Sequence, residues 1–239
     1  MTWTGDVFVA DGLGVFRGHV GDNRNHRHWA FQITIALEDT FQIEVQGAVQ
    51  LSLQAVFIRP NVEHRLVSGK VCSFYFDPAS PWFDGLAEIN SHADWGELVY
   101  TDQLKRLAIA SDPVDALKLD SLRQWDVFDS RIHAVLEQLE SALNEETYSD
   151  RLCLAALVGM SPSRFSHWFV EQLGVPLRSY KKWLKLRVAI ESMLSGKSPV
   201  EAALAAGFSD QAHMSRAFSS AFGITFMGAR AAVTNHIHA

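Results

Sequence analysis

Cysteine is nearly absent from this chain: Cys72 and Cys153 are the two in 239 residues. They stand in apolar contexts in different halves, which points to buried thiols and excludes a disulfide-stapled scaffold. No apolar run approaches the ~18 residues that a membrane span requires. The opening Met1-Thr2-Trp3-Thr4-Gly5-Asp6 lacks a basic segment followed by an apolar stretch, so no secretory signal is read there and a cytoplasmic protein is expected. Positive charge is also in short supply, 21 Lys+Arg against 27 Asp+Glu for a formal net of −6. The deficit is confined to one part of the chain. Residues 1–145 carry 11 Lys+Arg against 21 Asp+Glu, whereas residues 146–239 carry 10 against 6, a net of +4. Only the second part offers phosphates a favourable field, and the acidic first part discourages them. With 48% apolar residues the chain can build one large or two small cores.

What is present is a repeat. Gly159-Met160-Ser161-Pro162-Ser163-Arg164-Phe165-Ser166-His167-Trp168-Phe169 is echoed by Gly207-Phe208-Ser209-Asp210-Gln211-Ala212-His213-Met214-Ser215-Arg216-Ala217-Phe218, and the copies close at Gly174 and Gly223. The offset is 48 at the first glycine and 49 at the second. Each copy follows an Ala/Leu-rich helical stretch, 152–158 and 200–206. A helix, a glycine turn, a serine cap and a short helix with polar residues on one side form the helix-turn-helix pattern. In the first copy the leading helix is expected from a Ser149/Asp150 cap through Leu157, burying Leu152, Ala155 and Ala156. Ser161 caps the next helix, Pro162 fits its first position, and Phe165, Trp168 and Phe169 fall on one buried face. In the second copy Ser198-Pro199-Val200-Glu201 reads as a capping box. Ser209 is expected to cap the helix that follows, with Phe208, Met214, Phe218 and Phe222 as its apolar anchors.

Between the copies the pattern predicts a helix over 177–194, with Tyr180, Trp183, Leu184, Val188 and Ile190 as candidate buried positions. Eighteen residues make a rod of about 27 Å, comparable with the ~34 Å between successive major-groove faces once turns are added. Arg178, Lys181, Lys182, Lys185 and Arg187 supply its charge. They can contact phosphates, or form a solvated charged face.

The stretch from about Leu152 to Arg230 resembles the DNA-binding domain of the AraC/XylS family of bacterial transcription regulators. The residues that carry the resemblance are Ala205-Ala206-Gly207-Phe208-Ser209-Asp210-Gln211-Ala212-His213-Met214-Ser215-Arg216-Ala217-Phe218, then Phe222-Gly223-Ile224-Thr225. The resemblance implies a seven-helix domain whose two recognition helices enter adjacent major grooves of duplex DNA. By position, the base-reaching residues would be Ser163, Arg164 and His167 in the first helix and Gln211, Ala212, Ser215 and Arg216 in the second, with Lys181, Lys182 and Lys185 toward phosphates. Arginine pairs bidentately with guanine and glutamine with adenine, whereas the small Ser163 and Ala212 reach less, so His167, Gln211 and Arg216 carry most of the expected readout. Phe226-Met227-Gly228-Ala229-Arg230 departs from the family, which has a proline soon after the second Gly-aliphatic pair and an aromatic before the final arginine.

Residues 7–76 read as short strands at 7–10, 14–18, 30–36, 41–45, 49–53, 55–58, 64–67 and 71–76, with period-2 alternation clearest in Phe41-Gln42-Ile43-Glu44-Val45. His26-x-His28 followed by Ile58-Arg59-Pro60-Asn61-x-x-His64 resembles the cupin barrel that many such regulators carry as a sensor. The expected fold class is therefore α+β and multidomain: a cupin-like effector-sensing barrel over 1–110, a helical dimerisation segment with linker over 111–145, and the double helix-turn-helix domain over 146–239. The cupin resemblance implies a metal site of histidines and a glutamate, but Gln32 stands where the glutamate would be. His26, His28, Gln32 and His64 either hold a divalent metal or make structural hydrogen bonds. Effector contacts are expected from Phe31, Ile33, Arg59, His64 and Phe74, with Arg59 either meeting an effector carboxylate or pairing with Glu63. The stripe Phe128, Ile132, Val135, Leu136, Leu139 and Leu143, together with Val114, Leu117, Leu119 and Leu122, is expected at a homodimer interface, the alternative being packing on its own barrel.

The expected function is a DNA-binding regulator, not an enzyme, answering to a small organic effector, with RNA polymerase a further partner of such a protein and no membrane role. Two other readings stay open: a metal-dependent cupin enzyme fused to a DNA-targeting domain, and a constitutive regulator whose barrel only dimerises.

Overall fold

The computed structural model describes residues 3–21, 23–47, 51–80, 93–120, 130–144 and 150–237. They form two compact units, Met1–Trp125 together with Phe218–Ala239, and Asp126–Ala217.

The first unit is built on β1 (Thr4–Ala10), β2 (Leu13–Val20), β3 (Phe31–Ala36), β4 (Phe41–Val45), β5 (Leu51–Leu53), β6 (Ala55–Ile58), β7 (His64–Phe76), β8 (Trp95–Glu97) and β9 (Val233–Ile237). The strand order is β8-β6-β3-β7-β2-β1-β9, with β4 joining β5 and β7. Pairing is antiparallel except between β1 and β9, which run parallel. β8 and β9 have no counterpart among the expected strands.

β7 was expected as two strands and is one of 13 residues. Its first part pairs with β4 and the part from Gly69 onward with β2 and β3. Gly69 makes the switch possible with φ +134°, and a Cβ there would lie 2.6 Å from Phe41 Cβ. The alternation read in β4 is realised, with Phe41, Ile43 and Val45 buried and Gln42 and Glu44 half-buried. β3 is buried on both faces. Phe31, Ile33 and Ile35 join a core with Phe8, Leu13, Phe57, Phe74 and Phe76. Ala36, on the other face, joins Phe16, Phe41, Ile43, Ile58 and Leu66. Two helices, α1 (Asp102–Ile109) and α2 (Pro113–Asp120), contribute Ala108 and Val114 to the first of these cores.

The second unit contains α3 (Ser130–Asn144), α4 (Arg151–Leu157), α5 (Pro162–Leu173), α6 (Leu177–Leu194) and α7 (Pro199–Ala205), and α8 (Gln211–Phe222) begins in it. A last helix, α9 (Phe226–Ala232), belongs to the first unit. α6 has the expected bounds. Tyr180, Trp183 and Leu184 are buried with Leu186, Ala189 and Met193, whereas Val188 and Ile190 are only half-buried. In α4 the buried residues are Leu154 and Ala155. Leu152 and Ala156, expected inside, are exposed because the inner face falls one or two positions along the short helix. Cys72 is buried as expected, and Cys153, one step from Leu154 on α4, is exposed.

The apolar stripe of α3 is already used within the chain. Ile132, Val135 and Leu139 are buried, and α3 packs on α4 and α6. Leu136 and Leu143 are half-buried, and Phe128 and Leu122 lie outside the described residues, as do residues 145–149 of the expected linker. Glu140 accepts from Arg187 Nη2 at 2.7 Å, and the Arg131 guanidinium sits 5.5 Å over the Trp168 ring. Within the helical unit the stripe is buried at Ile132, Val135 and Leu139 and only half-buried at Leu136 and Leu143, so this part of it does not require a partner subunit. Leu139→Ala is therefore expected to lower stability to urea by about 2–5 kcal/mol, the usual cost of a core truncation, and to leave the sedimentation coefficient as in the wild type. Dissociation at unchanged stability would restore the interface reading.

Candidate nucleic-acid interface and histidine cluster

The two turns of the repeat are the same structure. Gly159 has φ +66° and Gly207 φ +68°. Gly159 N–H donates to Ala156 O at 3.1 Å and Met160 N–H to Ala155 O at 2.9 Å, while Gly207 N–H donates to Leu204 O and Phe208 N–H to Ala203 O, both at 2.9 Å. This pair of hydrogen bonds from the two residues past the C-cap, the first of them left-handed, is the Schellman motif. It satisfies carbonyls that the helix leaves open.

Each turn hands the chain to a capped helix. Ser161 Oγ accepts from Arg164 N–H and Pro162 occupies the first turn of α5, as expected. At α8 the cap is Asp210, not Ser209: Asp210 Oδ1 accepts from His213 N–H at 2.6 Å, and Ser209 Oγ donates to the other carboxylate oxygen at 3.3 Å. The Asp210 carboxyl is held below its ordinary range, first by that backbone bond. Aspartate is the stronger partner because its charge also suits the helix N-terminus. The capping box of Ser198 and Glu201 at α7 is present with both of its bonds.

Phe165, Trp168 and Phe169 are buried, and Phe165 and Phe169 form an aromatic chain with Tyr180 of α6, with ring centroids 5.8 and 5.9 Å apart. That packing turns Ser163, Arg164 and His167 to solvent. On α8, Met214 and Phe218 are buried and Phe222 half-buried, Ala212 and Arg216 are exposed, and Gln211 and Ser215 are half-buried. The lysines of α6 differ in setting. Lys182 is exposed, and Lys181 is half-buried with its pKa lowered, mainly by burial. Lys185 Nζ donates to Gly207 O and lies 5.9 Å from the Phe208 ring centre, so it fastens the second turn to α6. Nothing in the sequence singled out Lys185 for that role.

In the sheet unit, His26, His28 and His64 come together as expected, with ring centroids 4.3, 5.0 and 5.8 Å apart, all buried. The backbones of His26 and His64 are bridged by a pair of 3.0 Å hydrogen bonds. Gln32, the second residue of β3, lies between His28 and His64 and reaches the buried hydroxyl pair Thr34 and Ser73. Burial is the largest cause that lowers the pKa of His26 to about 3 and of His28 to about 4, and that sets His64 well below its ordinary value. His26, His28 and His64 are the described residues able to hold a metal, with ligand atoms within 4.8 Å of one another.

One wall of the cluster was not legible in the sequence. Gly223, with φ +70°, accepts at its carbonyl from Arg24 N–H at 3.0 Å, and a Cβ on it would lie 2.8 Å from His26 Nδ1. Asn23 Nδ2 donates to Phe222 O at 3.2 Å, and the Phe222 ring stands 6.1 Å from His28 and 6.2 Å from Tyr75.

The expected effector residues do not share a site. Phe31, Ile33 and Phe74 are packed in the core that includes residues of α1 and α2, whereas Gln32 and Ser73, on the opposite face of β3 and β7, lead to His64. Alternation along a strand separates them. Arg59 donates from Nε to Ala93 O at 2.9 Å, and Glu63, its expected partner, pairs with Arg27 at 2.7 Å instead.

The chain thus combines an antiparallel sheet unit with a duplicated helix-turn-helix. A family model described as a helix-turn-helix domain matches residues 154–232. The HTH-type transcriptional regulator GlxA of Rhizobium meliloti (strain 1021) is 31% identical over 143 residues, which are 56% of this chain and 43% of GlxA, so the chain spans less than half the length of that relative. In fold, the chain is similar to an apo variant of ToxT from Vibrio cholerae strain SCE256, at TM-score 0.65 and 12% identity over 93% of this chain and 98% of that one. It is also similar to unsaturated fatty acid-bound wild-type ToxT of that strain, at TM-score 0.62 and 12% identity over 98% of each chain. Residues 154–232 thus form a helix-turn-helix domain by local geometry and by family match alike.

The histidine cluster generates a pH dependence. Below about pH 6.5 the unfolded chain binds protons on these rings, whereas the folded chain binds them only near pH 3–4 at His26 and His28. The unfolded state then holds more protons, so stability falls as pH drops from about 6.5 toward 4, by up to roughly 1.4 kcal/mol per pH unit for each ring. Urea midpoints measured with a chelator at pH 7 and pH 5 should fall accordingly, and His28→Gln should reduce the slope. Equal midpoints at the two pH values would contradict a neutral buried cluster.

Proposed function

We propose that this chain is a sequence-specific DNA-binding transcriptional regulator whose sheet unit senses a small molecule. The observation that carries the reading is the duplicated Schellman turn, each copy aiming a capped helix with polar residues on its outer side. Arg164 and His167 on α5, and Gln211 and Arg216 on α8, are the side chains suited to base edges, with Ser163, Ala212 and Ser215 beside them. Lys181 and Lys182 face phosphates, and Lys185 acts through the second turn it fastens. The +4 balance of residues 146–239 supports the same assignment. The functional division follows 1–110 for sensing, 111–145 for connection and 146–239 for DNA.

An effector is supported by the fold shared with ToxT, one structure of which holds an unsaturated fatty acid. With Phe31, Ile33 and Phe74 packed in a core, the polar face around His64 is the better candidate for its pocket. A homodimer and a contact with RNA polymerase rest on the family resemblance, since the α3 stripe no longer argues for a dimer. A cytoplasmic location follows from the DNA partner. Among the described residues no helix is long and apolar enough to cross a membrane. No catalytic step is assigned.

The reading predicts salt-sensitive binding of the full chain to duplexes selected from a random pool. Arg216→Ala should lower discrimination at one or two base pairs by ~1–3 kcal/mol, with a smaller effect on non-specific binding, as measured by fluorescence anisotropy. An equal loss on every sequence would make Arg216 a phosphate contact. Failure of the wild type to enrich any sequence would overturn the proposed function.

A further inference from the structure

The two recognition helices compare position by position once each is counted from its own cap. α5 begins after Ser161 and α8 after Asp210, an offset of 49 where the first glycines of the repeat differ by 48. The additional residue of the second copy is therefore Ser209, in the turn between Phe208 and the cap. Counted in this way, burial is the same in both helices through the eighth position: half-buried, exposed, exposed, buried, half-buried, exposed, buried, buried. The outer positions are the second, third and sixth. In α5 they hold Ser163, Arg164 and His167, and in α8 they hold Ala212, His213 and Arg216. Each helix thus presents one small residue, one arginine and one histidine, with the arginine and histidine exchanged. Counting from the first glycine would set Gln211 opposite Ser163, whereas counting from the cap sets it opposite Pro162, half-buried like it.

His213 was not among the residues expected at DNA, and its ring is held from two sides. Its Nδ1 lies 3.1 Å from Ser209 Oγ, the hydroxyl that also bonds to the Asp210 carboxylate at 3.3 Å. The Phe208 ring meets it edge to face, with centroids 5.2 Å apart and planes at 82°. Gly207 and Phe208 are in turn fastened to α6 by Lys185. The backbone N–H of His213 donates to Asp210 Oδ1 at 2.6 Å. Side chain and backbone of His213 are therefore both tied to the turn. With Nδ1 engaged, Nε2 is the ring atom of this exposed side chain that can meet a partner.

We infer that His213 is a specificity-determining residue of α8, meeting a base edge through Nε2 beside the base pair that Arg216 reads, with Ser209 as its positioning residue. Residues 213 and 216 are three apart on a helix and so share a face. The N-terminal part of a recognition helix is the part that reaches base edges. The Asp210 carboxylate, bonded to the hydroxyl that holds the ring, repels a phosphate there and favours an uncharged base edge. An imidazole nitrogen gives or takes one hydrogen bond, which the N7 and O6 atoms of guanine or the amino groups of adenine and cytosine complement. The inference rests on the DNA-binding function proposed above, and it moves the readout of the second helix from Gln211 and Arg216 to His213 and Arg216.

The test is selection of duplexes from a random pool by the full chain, followed by anisotropy measurements on single-base variants of the selected site. Wild type is compared with His213→Ala, Gln211→Ala, Ser209→Ala and the Ser209→Ala/His213→Ala double variant. In His213→Ala the preference at one base pair of the site should fall by roughly tenfold, with the other positions and the salt dependence of binding retained. Ser209→Ala should weaken the preference at that same base pair and add nothing in the double variant, whereas a general structural loss would lower affinity across the whole site. Gln211→Ala should have the smaller effect. The inference is overturned if His213→Ala keeps the wild-type preferences, or if Gln211→Ala flattens that base pair in its place. It is equally overturned if His213→Ala loses affinity on every sequence with a shallower salt dependence, the mark of a phosphate contact. A wild type that enriches no sequence overturns the DNA-binding reading itself, so the two failures are told apart.

Discussion

A left-handed turn of one residue, made twice, is the constraint on which the helical half depends. At Gly159 and Gly207 the chain leaves a short helix and must start another within three or four residues, at an angle that keeps the second helix outside. A residue with a Cβ takes φ near +66° only at a cost of about 1–2 kcal/mol, while glycine takes it freely. The turn also fixes which carbonyls are satisfied and hence where the next cap falls. Phase follows from this: with the cap set, the residues at the fourth, seventh and eighth positions of each recognition helix, Phe165, Trp168 and Phe169 in α5 and Met214, Ala217 and Phe218 in α8, face inward.

The aromatic contacts between α5 and α6 then convert local geometry into a rigid frame. Phe165, Phe169 and Tyr180 are all buried, so α5 cannot roll about its axis without opening a cavity. Lys185 does for the second turn what the aromatic chain does for the first helix, through a single charged hydrogen bond to Gly207 O. Positive charge in this half is therefore divided between holding the frame and facing solvent, a division that net charge alone conceals.

Much of this was legible in the sequence, and the failures share a cause. The glycine turns, the capping box, α6 and the Phe165/Trp168/Phe169 face follow from short-range rules that act within a few residues. So does the meeting of His26, His28 and His64, because a strand pair returns the chain to the same edge. The cap at Asp210 was misplaced by one residue, since Ser209 and Asp210 are both competent and only the geometry of the turn chooses. The α3 stripe leaves its cover open, because amphipathicity says that a face is buried but not by what. The effector set was gathered across two faces of β3 and β7, an error that the period of two could have prevented once the strands were known. β9, and the contact of residues 222–223 with Asn23, Arg24 and the histidines, join positions about 200 residues apart, and no local signal reports such a pairing.

The central claim is that the two turns present two reading helices to one duplex. Selection of binding sites from a random pool with the full chain, then with Gly207→Val, tests it directly. The account predicts two short motifs with centres about 10 base pairs apart, one helical turn of the duplex. The Gly207→Val protein should keep the motif read by α5 and lose the one read by α8. A single motif in the wild type, or loss of both in a variant that still folds, would contradict it.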